Sequence, residues 1–177
     1  MKKFFYLLVA LIIGCGGGGG GGSSAPAFAP PDLTGHFVMT GLSARTSDGY
    51  TFTENDFKPW GGYIDIGHQN LALSLTLLGN TTSGSGPLSV SWSSATEGVL
   101  SGGGDGLPFT LSSTGQLVLH LPPSELSPGV TAEAWLYYQW SGPHTSLAPE
   151  VAMESAGTDN VDINTFIQDK IKILVNK

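Results

Sequence analysis

The chain has 177 residues, 7 basic and 14 acidic, and a formal net charge of −7 with His neutral. That balance excludes a nucleic-acid binder, whose affinity comes mostly from neutralising phosphates. It also argues against peripheral attachment to anionic lipid. Only 12 % of the residues are charged, and Gly, Ser, Thr and Pro are plentiful, a composition that favours all-β structure in one domain.

The N-terminus opens with Met1-Lys2-Lys3 and continues as an unbroken apolar run from Phe4 to Ile13. Ten apolar residues suit a signal peptide and fall short of the roughly 20 that a spanning helix needs. The run ends on Gly14 and Cys15, the only cysteine in the chain, so no internal disulfide can form. Ile12-Ile13-Gly14-Cys15 resembles the lipobox of bacterial lipoproteins. The resemblance implies diacylglycerol on the Cys15 sulfur, cleavage before Cys15, and fatty acylation (a palmitate-type chain) of the new N-terminus. Two or more acyl chains anchor stably, at about 0.8 kcal/mol per buried methylene. Gly16 rather than Asp follows the cysteine, which by the same resemblance implies the outer membrane. Processing removes Lys2 and Lys3 and leaves 5 basic against 14 acidic residues.

Gly16 to Gly22 and then Ser23 to Pro31 read as a tether, floppy at first and stiffened by its prolines. No strand precedes the glycines and no Gly-Lys-Ser/Thr follows them, so they do not read as a phosphate cradle. The expected organisation is a signal peptide over 1–14, a lipidated tether over 15–31, and one β domain over 32–177.

Strand signals then come at short intervals. Gly35 to Leu42 sets His36, Val38, Thr40 and Leu42 against Phe37 and Met39. Tyr63 to Gly67 sets Ile64 and Ile66 against Tyr63 and Asp65. Leu71, Leu73, Leu75 and Leu77 form the cleanest period-two face in the chain. Gly79 to Pro87 reads as a polar turn region. Leu88, Val90 and Trp92 alternate with serines, Gly98 to Ser101 is a short run, and Leu107 to Ser112 is a strand. Leu117, Leu119 and Leu121 form another face, after which Pro122-Pro123 and Ser127-Pro128-Gly129 bound a loop. Val130 to Trp140 is a long strand with aromatics on both faces, and Ala148 to Ser155 is a candidate last strand. From Val161 onward Ile163, Phe166, Ile167, Ile171 and Leu174 recur at spacings of three and four. That spacing predicts an amphipathic helix, with Asp162 placed to cap it, over a rival strand through Ile171, Ile173 and Val175.

Eight to ten short strands joined by tight turns call for an antiparallel up-and-down barrel or a β-sandwich, the barrel being preferred, with a C-terminal helix. Gly35-His36-Phe37 at the start and the amphipathic run from Ile163 to Val175 at the end resemble the lipocalin (calycin) plan. Phe37 stands where that family has Trp. The resemblance implies a small apolar ligand in the barrel mouth.

There is no Gly-x-Ser-x-Gly elbow, His-Glu-x-x-His, Cys-x-x-Cys, Walker or Rossmann pattern. His36, His68, His120 and His144 lack ligand spacing. Asn160, Asp162 and Asn164 fit helix capping better than a calcium loop, since Thr165 stands where the loop glycine belongs. Glu54 with Asp56, and Glu133, have no special standing as paired carboxylates. Trp135, Tyr137 and Trp140 are the best candidates for ligand contact, because aromatic faces on a sheet stack on sugars or line apolar pockets; Trp92 reads as core. The expectation is a non-enzymatic, lipid-anchored envelope protein without cofactor or metal. It binds a small hydrophobic ligand or an envelope component, or else acts as a protein- or glycan-interaction module. Cys15→Ser should abolish incorporation of radiolabelled fatty acid and release the protein from membranes; membrane retention by the variant would contradict the lipobox reading.

Overall fold

The computed structural model describes residues 30–101, 106–143 and 163–176. The lipobox, most of the tether, His144, the candidate strand Ala148 to Ser155 and the cap Asp162 lie outside the described residues. Within them the protein is all-β with one C-terminal helix. Ten strands form a single antiparallel sheet: β1 Gly35–Thr46, β2 Thr51–Thr53, β3 Gly61–Ile66, β4 Asn70–Leu77, β5 Asn80–Pro87, β6 Ser89–Trp92, β7 Glu97–Ser101, β8 Leu107–Leu111, β9 Gln116–Ser127 and β10 Val130–Gly142. The helix, α1, spans Ile163–Val175, as the three-and-four spacing predicts.

The strand order is β5-β4-β3-β1-β10-β9-β8-β7-β6, with β2 added on β1. This is up-and-down order, with the first long strand paired to the last. The two ends of that order, β5 and β6, are consecutive in the chain and separated only by Leu88. One residue spans at most about 7 Å between its neighbours' Cα atoms. A flat sheet of nine strands would hold its edges roughly 38 Å apart at about 4.8 Å per strand. The sheet therefore curls until its edges meet at Leu88, whose N–H donates to the Gln69 carbonyl at 2.8 Å. Exposed and covered residues alternate without a break from Thr81 to Ser93, so β5 and β6 are two halves of one bent strand. Taken this way, the fold is a barrel-like sheet that is split along β5.

The inward face carries the core. Phe37, Met39, Leu42, Ile64, Ile66, Leu75, Leu77, Phe109, Leu117, Leu119, Leu121, Leu136 and Tyr138 are all buried there. Ile167 and Ile171, one helical turn apart on α1, belong to the same cluster, and α1 packs on β9 and β10. Room for the helix comes from Ala132 and Ala134 on β10, both fully buried. Gln168, also buried, donates from Nε2 to the Ala132 carbonyl at 2.9 Å.

Three sequence expectations are corrected. Gly79 to Pro87 is not a turn region: only Leu78 and Gly79 turn, and Asn80–Pro87 pairs residue for residue with β4. Its apolar signal is absent because its inward positions are Thr82, Gly84 and Gly86, and its pairing is a main-chain affair. Pro122-Pro123 does not open a loop, because β9 runs through it to Ser127 with a register shift against β10. The pairing of β8 with β9 ends at Leu119, so the prolines sit where β9 has a free edge and their missing N–H groups cost nothing. Leu42 does not share a face with His36, Val38 and Thr40. A bulge between Met39 and Gly41 shifts the phase by one residue and turns Leu42 inward.

The β4–β5 turn places Leu78 at φ 52° and Gly79 at φ 74°, a two-residue hairpin loop with both central residues left-handed. Leucine is a poor choice there. The turn is held by Leu78 N–H donating to the Phe57 carbonyl at 2.9 Å and Gly79 N–H to that of Pro59 at 3.1 Å. Phe57, fully buried, meets Phe52 edge-on at 6.2 Å. At Gly98 a Cβ would lie 2.8 Å from the Phe109 ring and 2.5 Å from the Ser91 carbonyl oxygen, so only glycine lets β6, β7 and β8 approach as they do.

If α1 is part of the core rather than an appendage, Ile171→Ala should destabilise the protein by about 2–5 kcal/mol, as large-to-small core changes do. Urea unfolding measures this; a loss well under about 1 kcal/mol would place the helix outside the core.

Candidate functional site

Because the inward face is filled, polar and aromatic side chains collect on the outward face of β1, β10 and β9. The register decides which residues meet. Glu133 lies opposite Arg45, Trp135 opposite Ser43 on one side and His120 on the other, and Tyr137 opposite Gly41 and Val118. Cross-strand neighbours on one face of a sheet are about 5 Å apart. Trp135 accordingly stacks on His120, with centroids 5.2 Å apart and planes at 4°. The Arg45 guanidinium carbon lies 5.2 Å from the centre of the Trp135 ring. Beneath this stack Glu133 accepts hydrogen bonds from Arg45 Nε and from His120 Nε2, the latter at 3.1 Å.

Partial burial alone would raise the Glu133 pKa. The hydrogen bonds from Arg45 and His120, together with their charge, outweigh it and hold the carboxyl below its ordinary value. Farther along the same face the Tyr137 hydroxyl lies 3.3 Å from Ser43 Oγ, and Thr40 Oγ1 donates to the Tyr137 carbonyl at 3.3 Å. A surface depression of about 330 Å³ lies beside the stack, lined by Arg45, Thr46, Ser47, Pro123, Thr131 and Glu133.

Of the three predicted contact residues, Trp135 and Tyr137 share this outward face and Trp140 does not. Trp140 has the inward parity of Tyr138 but sits at the end of β10, where it is 49 % exposed. It folds over Gly35, where a Cβ would lie 2.5 Å from Trp140 Nε1. The three are therefore two separate features, a face and a rim. The arrangement also limits Trp135, since His120 and Arg45 already cover its ring. An exposed aromatic plane that could stack on a sugar is not what this residue offers.

Trp92 packs edge-to-face on Phe109 at 5.0 Å as part of the core's border. Asp56 Oδ2 accepts from the Thr53 N–H at 2.8 Å and from Thr53 Oγ1 at 3.1 Å, so it closes its own loop rather than pairing with Glu54. His36 Nδ1 stands 3.7 Å from Oδ2 of the buried Asp65. Burial pushes the Tyr138 hydroxyl well above the usual phenol range, which keeps it protonated at neutral pH. Among the described residues no three His, Cys, Asp or Glu side chains gather as a metal site. The same residues include no helix long and apolar enough to cross a membrane.

Arg45 and His120 carried no signal in the sequence, because what gives them a role is cross-strand register that brings each to Glu133, from 88 residues away for Arg45 and 13 for His120. Only the shared parity of Glu133, Trp135 and Tyr137 along one strand was readable, and not which way that face points, because both faces of the strand carry aromatics. Comparison with protein-family models, with curated proteins and with solved structures finds no match.

A carboxyl whose folded pKa is depressed adds stability that is present above its unfolded value and is lost as pH falls through the folded one. Glu133→Gln should therefore weaken the protein at neutral pH and flatten the loss of stability on acidification through and below the ordinary Glu range. Urea midpoints measured from pH 7 to pH 3 check this; parallel pH profiles for the two proteins would contradict it.

Proposed function

We propose that this is a lipid-anchored, non-enzymatic interaction module of the bacterial cell envelope, held through Cys15 on the outer membrane and meeting an envelope partner with the outside of its barrel. The observation that carries the choice is the filled interior. The space where a lipocalin-like ligand would sit is taken by Leu75, Leu117, Leu119, Leu136, Tyr138 and, from the helix, Ile167 and Ile171. Two depressions bordered by described residues are open to the surface, one beside Arg45 and Glu133 and one beside Thr34 and residues 67–70. Small-molecule sites are usually enclosed apolar cavities that bury most of their ligand, and neither depression has that character.

The outward band of Arg45, Glu133, Trp135, Tyr137 and His120 suits contact with another protein. Its side chains are pre-ordered by one another, so little conformational entropy remains to be lost on docking. Aromatic and Arg side chains of this kind anchor protein interfaces. The lipobox and the glycine-rich tether support an envelope location, with the domain on a leash.

Native mass spectrometry of the unlipidated chain, prepared as Cys15→Ser and never denatured, tests the choice between surface and interior. The expected result is the mass of the bare chain or a whole multiple of it. A reproducible added mass that is not a multiple of the chain and is lost on denaturation would overturn the reading in favour of a ligand carrier.

A further inference from the structure

Among the described residues the split in the barrel leaves β5 with a free edge, since it pairs with β4 alone. Its hydrogen-bonding sense follows from the hairpin. In a two-residue loop the flanking residues, Leu77 and Asn80, form a hydrogen-bonded pair, and the pattern alternates from there. Asn80, Thr82, Gly84 and Gly86 thus direct their main-chain groups to β4. Thr81, Ser83 and Ser85 direct theirs away from it. The Thr76 and Thr81 hydroxyls lie 2.8 Å apart, as expected of a pair in the closer, non-hydrogen-bonded positions. Pro87 falls on the outward set, where its missing N–H costs nothing.

Natural sheets guard such edges with lysines, prolines, inward charges, bulges or extreme shortness. Among the described residues this edge, eight residues in unbroken register, carries one such guard, Pro87 at its far end, and none over Asn80 to Gly86. Thr81, Ser83 and Ser85 are exposed and small, and the inward positions Gly84 and Gly86 carry no side chain.

We propose that β5 is a pairing edge and that a second copy of this chain occupies it, antiparallel about a twofold axis at Ser83. Two features single out this occupant. The edge is self-complementary: with Ser83 facing its counterpart, Thr81 faces Ser85 on both sides of the axis, and the outward N–H and C=O groups of the three residues match in one isologous ladder. The charge pattern permits it as well. From Ile66 to Thr96 there is no Asp, Glu, Lys or Arg, in a chain of net charge −7. The β4–β6 segment is where two acidic copies can approach without like charges meeting. The proposal goes beyond the interaction-module reading and stands without it, since a ligand carrier could pair through the same edge.

The twofold places the two Ser83 Cα atoms about 5.5 Å apart, as in any hydrogen-bonded antiparallel pair, which is within disulfide reach. Ser83→Cys in the full chain, expressed in membranes and run without reductant, should give a covalent dimer that reductant dissolves. The unsubstituted chain and Ser74→Cys, one strand inside the edge, should give no covalent dimer. Ser83→Pro removes an N–H that β4 does not use, so the variant should fold. It should also weaken association at least about tenfold in sedimentation of the detergent-solubilised chain, through the two lost hydrogen bonds. The proposal is overturned by a monomeric Ser83→Cys protein, by an adduct of a mass other than twice the chain, by equal cross-linking of Ser74→Cys, or by a Ser83→Pro variant that associates like the parent.

Discussion

β1 and β10 lie side by side for their whole length, and the rest of the structure is arranged by that pairing. It joins His36 to Gly142 at one end and Thr46 to Ala132 at the other, across most of the folded chain. Everything between the two strands must leave β1 on one side and return to β10 on the other, which is why the sheet curls. Such non-local pairing closes a long loop before any of its contacts can form, a cost in entropy that local hairpins do not carry. The offsetting gain is inward burial: Phe37, Leu42, Leu136 and Tyr138, all on these two strands, are each at most 3 % exposed.

The same pairing creates the outward band. Arg45 meets Glu133, and Trp135 lies between Arg45 and His120, only because the bulge after Met39 sets the register of β1 against β10. The bulge also turns Leu42 inward, so one local irregularity serves the core and the outer face together. The helix completes the interior from the C-terminal side. With Ile167 and Ile171 in place the barrel has a solid centre, and its polar and aromatic side chains gather on the outside. Gly84 and Gly86 on β5 bring no side chains inward, which leaves that strand held by its main-chain ladder with β4 and the Thr76–Thr81 hydroxyl contact.

How much of this was readable follows from how local each signal is. The leucine ladders of β4 and β9, and the three-and-four spacing of α1, depend on one element facing one core, and the chain displays them openly. β5 has no apolar residue to reveal it, because an edge strand of threonine, serine and glycine is specified by its partner β4 and by the Leu78-Gly79 turn. Pro122-Pro123 resembles a break unless one knows that β8 has already stopped pairing with β9 at that level. Of the outward band, Trp135 and Tyr137 showed in the parity of one strand, whereas Arg45 and His120 needed the register of three. Trp140 shares the parity of Tyr138 rather than theirs and belongs with them only as an aromatic of the same strand; parity along β10 says nothing about where the strand outruns the barrel.

The solid interior is the claim on which the functional reading turns, and xenon binding followed by methyl NMR tests it most directly, since xenon enters apolar voids that water leaves empty. The methyl groups of Leu75, Leu117 and Leu136, each at most 1 % exposed, report from the centre of the barrel. Shifts there that stay small and linear in xenon pressure are the predicted result. Saturable shifts at these leucines would contradict it: they would reveal an enclosed apolar cavity and return the protein to the class of ligand carriers.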